Sequence, residues 1–165
     1  MYDVVLLVEQ ELSEADAKQV VALHEEMPEK VKYHVVIPCH NAEAGVEASL
    51  AALGTADLYG AGIADQRADL AEAQRALDEE AKGCSGRSVN RLLELGQQAE
   101  GGITHERAID ALVQTVKHVD GQEVIILTRP HVVAEFFHVD WSAQARRHLG
   151  VPVLHLLEQE EKKAG

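Results

Sequence analysis

Residues Val4-Val5-Leu6-Leu7-Val8 are an unbroken apolar run, largely β-branched. A strand buried on both faces, as in a parallel sheet, carries this pattern. Ser13 and Asp16 then have capping-box spacing, in which a hydroxyl and a carboxylate satisfy free amides at a helix start. Ala17, Val20, Val21 and His24 follow at helical spacing on one face, and Pro28 lies just past the helix end. Val31 to Ile37 reads as the second strand, closed by Pro38. Strand, helix and strand in this order predict a right-handed βαβ unit.

The Ala- and Gly-rich stretch from Asn41 to Gly62 predicts a short helix and a loop. Asp65 to Ala81 predicts a surface helix with Leu70, Ala73 and Leu77 on its buried stripe. Between Gly83 and Gly102, the alternation of Val89, Arg91, Leu93 and Leu95 predicts a third strand, although Leu92 interrupts it. Thr104 is expected to cap a helix whose apolar face is Ile109, Leu112, Val113 and Val116. Glu123 to Thr128 is a further buried strand, stopped by Pro130. Asp140 to Leu149 predicts a short helix with Gly150 as its cap, and Val151 to Leu157 the last strand. Strands alternating with helices to the end mean an α/β fold. The expectation is a three-layer α/β/α sandwich around a five-stranded, mostly parallel sheet. It occupies one domain, residues 1–158, followed by a polar tail, 159–165.

Composition changes the picture mainly by exclusion. The chain has 165 residues, 46% hydrophobic and 26% charged, which suits one globular domain with a core of its own. Fifteen Lys and Arg against 28 Asp and Glu give a formal charge of −13, which argues against nucleic acid or an anionic membrane surface as partner. The start, Met1-Tyr2-Asp3, lacks the basic and apolar regions of a signal peptide. Two cysteines, Cys39 and Cys84, suggest reduced thiols and a cytoplasmic location rather than a disulfide framework.

Motifs that would assign an enzyme are missing. There is no G-x-x-x-x-G-K-[ST], G-x-G-x-x-G or G-x-S-x-G. The nine histidines show no H-x-x-x-H or H-E-x-x-H spacing, and the cysteines form no C-x-x-C, so no metal site and no catalytic residue is assigned.

Three segments together resemble a known family. They are Glu123-Val-Ile-Ile-Leu-Thr128, Arg146-Arg-His-Leu-Gly-Val-Pro-Val-Leu154, and Gly102-Ile-Thr-His-Glu-Arg-Ala-Ile109. Together with the Glu11-Leu12-Ser13 turn after the first strand, they resemble the universal stress proteins. The resemblance implies a sheet of order 3-2-1-4-5 and a homodimer formed through the last strand, here Val151, Val153, Leu154, Leu156 and Leu157. ATP-binding members carry a glycine-rich loop after the fourth strand, whose backbone amides close around phosphates. Here Thr128 to Trp141 contains no glycine, and Phe136, Phe137 and Trp141 stand in its place. The aromatics pack the last helix, fill the vacated pocket or form a partner surface.

In an open α/β sheet, ligands bind beyond the carboxyl ends of the strands, where strand order reverses. Glu9, Glu11 and Ser13 follow the first strand. Pro38, Cys39, His40 and Asn41 follow the second, and Thr128, Arg129 and His131 the fourth. Ser13 is a helix cap before it is a nucleophile. Arg129 either grips an anion or pairs with Glu9 or Glu11. His40 and His131 are loop histidines or ligand contacts, and Cys39 a small, partly buried thiol. The sequence thus reads as a non-enzymatic binding or regulatory domain, with no firm cofactor and with a small anion or a protein as partner. The alternative is an ATP- or AMP-binding protein with unusual phosphate contacts.

Overall fold

Strand β1 (Tyr2–Val8) forms the centre of the sheet, and Val4, Val5, Leu6 and Val8 within it are fully buried. It pairs in parallel with β2 (Val31–Pro38) on one side and β4 (Glu123–Thr128) on the other. The edges are β3 (Gln98–Thr104), beside β2, and β5 (Val153–Leu157), beside β4. The computed structural model describes residues 1–39, 63–128 and 146–159, with backbone alone over 63–67. The described strands form one sheet of order β3-β2-β1-β4-β5, and every pairing is parallel.

Side chains alternate between two cores because successive strand residues point to opposite faces. Val4, Leu6, Val8, Tyr33, Val35, Ile125 and Leu127 face helices α1 (Glu14–Ala22) and α2 (Ile63–Glu94). Val5, Leu7, Val36, Val124 and Ile126 face α3 (Ala108–Val119) through Ala111, Leu112 and Val116, and Leu149 joins this second core.

The Ser13 cap is present: its Oγ accepts from the Asp16 amide at 3.1 Å. The Asp16 carboxylate bonds the Ser13 hydroxyl and the Gln159 amide rather than the Ser13 amide of a capping box. Helix α1 ends at Ala22, so His24 lies in the turn beyond it. There the buried His24 ring shares its Nδ1 with the Tyr33 hydroxyl at 2.9 Å, and its Nε2 faces Glu123 at 3.2 Å.

Several expectations are corrected. Residues 83–94 are not a strand: α2 runs on through Gly83 and Gly86 to Glu94, and the third strand follows it at Gln98–Thr104. The helix persists because the small residues Ala81, Ser85 and Ser88, followed by Leu92, make a buried stripe at helical spacing. Of the stripe read from sequence, Leu70 and Leu77 are half-buried and Ala73 is exposed. Thr104 ends β3 instead of capping α3, whose cap residue is Arg107, with no side-chain bond to the free amides of the first turn. The Thr104 hydroxyl accepts from the Glu106 amide in the connecting turn. The last strand begins at Val153, two residues later than its apolar pattern. The helix expected within 41–62, most of the one expected over 140–149, and Phe136, Phe137 and Trp141 lie outside the described residues.

Candidate functional site

At the carboxyl ends of β1 and β4 the side chains engage one another. Leu12 is buried, and its amide donates to Ser88 Oγ at 2.9 Å, which fixes the turn after β1 against α2. This aims Glu11 at two arginines of that helix. Arg87 Nε donates to it at 2.6 Å and Arg91 at 3.1 Å. The Arg87 hydrogen bond, opposed in part by burial and aided by Arg91, holds the Glu11 carboxyl below the usual glutamate range. Gln10 donates to Glu158, and the Glu158 amide donates to the Thr128 carbonyl at 2.8 Å. The Thr128 hydroxyl is buried and bonds His155 Nε2 of β5 at 2.7 Å. Burial pushes the His155 imidazole below its ordinary value. Glu9 is half-buried at the end of β1.

Of the sequence candidates, Glu9, Glu11, Ser13 and Thr128 therefore gather at the β1–β4 end of the sheet. Pro38 and Cys39 lie beyond β2, and His40, Arg129 and His131 fall outside the described residues.

Cys39 belongs to a different group. Its amide donates to the Thr104 carbonyl at 2.7 Å, which extends the β2–β3 ladder by one step. Its thiol meets Asp78 Oδ1 of α2 at 3.0 Å. His105, the first residue after β3, places Nε2 2.9 Å from the same oxygen. Gln74, one turn before Asp78, donates to it at 2.9 Å. Bonds from His105, Cys39 and Gln74, in that order, hold the Asp78 carboxyl far below the carboxylate range. Burial, followed by the Asp78 bond and charge, raises the Cys39 thiol to about 11. On the opposite face of β2 and β3, a cavity of about 760 Å³ is lined by His34, Val36, Gly102, Gln114 and His118.

No family model and no curated protein matches the sequence. Solved structures do match. A universal stress protein from Archaeoglobus fulgidus aligns at TM-score 0.56 and 14% identity, over 94% of this chain and 93% of that one. The hypothetical protein MJ0577 aligns at TM-score 0.63 and 15% identity, over 98% and 99% of the two chains. A universal stress protein family protein from Arabidopsis thaliana, solved with AMP bound, aligns at TM-score 0.54 and 16% identity, over 96% and 93%. This chain has the universal stress protein fold.

The sheet order of the universal stress protein fold puts Cys39 and His105 side by side, because β2 and β3 are neighbours. Sequence reasoning named Cys39 but missed Asp78, His105 and Gln74. Their signal was the four-residue spacing of Gln74 and Asp78, which puts both on one helix face. It becomes readable only once the third strand is placed at 98–104. Arg87 and Arg91, which hold Glu11, have the same spacing and were hidden by the strand read over them.

Proposed function

We propose that this chain is a non-enzymatic regulatory domain of the universal stress protein type, a cytoplasmic homodimer whose nucleotide site is lost or altered. The observation that carries the reading is the internal pairing at the β1–β4 end. Glu11 is held by Arg87 and Arg91, and Thr128 by His155, so polar groups at the switch point are committed within the chain. The glycine-free stretch after β4 removes the backbone cradle that phosphates need. Support for the dimer comes from the β5 edge, where Leu154 is 36% and Leu157 46% exposed. Among the described residues, no helix is long and apolar enough to cross a membrane.

The second reading is an AMP- or ATP-binding protein with unusual phosphate contacts, in which Arg129 replaces the glycine amides. It draws on the AMP held by the Arabidopsis protein of the same fold. One experiment separates the two: calorimetric titration with ATP·Mg²⁺ and with AMP, plus a search for nucleotide in the heat-denatured protein. The first reading expects no binding heat and no nucleotide. Micromolar binding overturns it. Sedimentation equilibrium of the native chain and of Leu154→Glu tests the dimer, and a native monomer refutes that part.

A further inference from the structure

We propose that Cys39, Asp78 and His105 bind one divalent transition-metal ion, Zn²⁺ by preference. This site is separate from the β1–β4 end and does not depend on the function proposed above. The Cys39 Sγ, an Asp78 carboxylate oxygen and a His105 ring nitrogen all lie within 4.8 Å of one another. Asp78 Oδ1 stands 3.0 Å from the sulfur and 2.9 Å from His105 Nε2. A tetrahedral Zn²⁺ with ordinary bond lengths spaces such donors about 3.3–3.6 Å apart. Asp78 Oδ1 therefore stands about half an ångström closer to the sulfur and to the ring nitrogen than a shared ion requires, and the side chains open slightly to admit it.

The three ligands arrive from three elements. Cys39 and His105 each stand one residue past a strand end, and the Cys39–Thr104 backbone bond locks those ends together. Asp78 comes from α2, and Gln74 orients its carboxylate from the preceding turn. An outer donor of this kind is what ligating carboxylates use to hold their geometry.

The donor set selects the ion. A thiolate, an imidazole and a carboxylate suit Zn²⁺, whereas Mg²⁺ and Ca²⁺ prefer oxygen alone. Thiolate and carboxylate together balance the two positive charges, and the thiol proton leaves to solvent as the metal–sulfur bond forms. With three ligands among the described residues, a tetrahedral ion has a fourth position for water or a further donor. The His105 side chain is 56% exposed, so the ion has an entry path.

The test is a titration of the full chain, first stripped with chelator, using Co²⁺ as the spectroscopic probe and Zn²⁺ as competitor. One equivalent of Co²⁺ is expected to produce a thiolate-to-cobalt charge-transfer band and the visible bands of a tetrahedral ion, both erased by Zn²⁺. Cys39→Ser should abolish the charge-transfer band. Asp78→Asn and His105→Ala should weaken Co²⁺ binding at least about tenfold. Circular dichroism checks each fold, and the exposed His105→Ala keeps the question answerable if a variant at half-buried Cys39 or Asp78 unfolds. Absence of the charge-transfer band in the native chain overturns the proposal. So does an unchanged band in Cys39→Ser, or unchanged affinity in His105→Ala.

Discussion

Adjacent glycines in β3 should respond to alanine in opposite directions. Gly101 faces α2, and a Cβ built on it would lie 2.7 Å from Ser85 Oγ, 2.8 Å from Val89 Cγ2 and 3.2 Å from Val35 Cβ. Ser85 can turn its hydroxyl, but Val89 is β-branched within a helix and has one strongly preferred rotamer. Val35 is 1% exposed and has nowhere to go. Overpacking of this kind costs about 1–3 kcal/mol. The backbone of Gly101 is not left-handed, so alanine also recovers about 0.4–1 kcal/mol by restricting the unfolded chain. The net for Gly101→Ala is a loss of about 1–2 kcal/mol. Gly102 points to the other face, and among the described residues nothing lies within 4 Å of a Cβ there. Gly102→Ala should therefore gain about 0.4–1 kcal/mol. The assay is urea unfolding followed by far-ultraviolet circular dichroism. At a slope of about 1–3 kcal/mol per molar, a gap near 2 kcal/mol separates the two midpoints by about 1 M. Adding Val89→Ala to Gly101→Ala should restore part of the loss, since it removes the clashing methyl. If the Gly101→Ala midpoint equals or exceeds that of Gly102→Ala, the close approach of α2 to β3 is not what requires glycine.

Two further outcomes follow from the turn after β1. Ser88→Ala strands the buried Leu12 amide and frees the Cys84 carbonyl, and should cost about 1–3 kcal/mol, a fall of about 3–10 °C in Tm. An unchanged Tm contradicts that role for Ser88. Glu11 titrates lower in the folded chain than unfolded, so its contribution is complete above the usual glutamate value of 4.5 and fades as pH falls from there. Partial exposure limits it to about 1 kcal/mol. Glu11→Gln should thus lower stability slightly at neutral pH, with a gap that closes in acid; a gap constant through the acid range refutes the Arg87–Arg91 clasp.

Legibility from sequence depended on what each segment buries. Val4 to Val8 and Glu123 to Thr128 announce themselves because both faces of these central strands are apolar. The third strand, Gln-Ala-Glu-Gly-Gly-Ile-Thr, sits at an edge and carries its pairing through the backbone, so it leaves little pattern. The second half of α2 misled for a related reason. Close packing against Gly101 brings Ser85 next to it, the buried face nearby is built of Ala81, Ser85 and Ser88, and small residues beside Gly83 and Gly86 imitate a turn. That one error hid the Cys39–Asp78–His105 group, since those residues meet only when β3 follows α2. At the β1–β4 end stand Glu11 and Thr128, both named from the sequence, but their partners Arg87 and His155 are 76 and 27 residues away. Charge type alone cannot single out such partners.

The two borders of the sheet are chemically unlike, and that bears on how far association can go. On β5, Leu154 and Leu157 lie exposed on opposite faces of a short strand. On β3, Glu100 is tied to Lys32 and His34, and two glycines offer no side chain to grip. Two copies meeting symmetrically at β5 would spend the adhesive border of both and present only β3 outward. Growth would then end after a single step, without a cap or a partner to stop it.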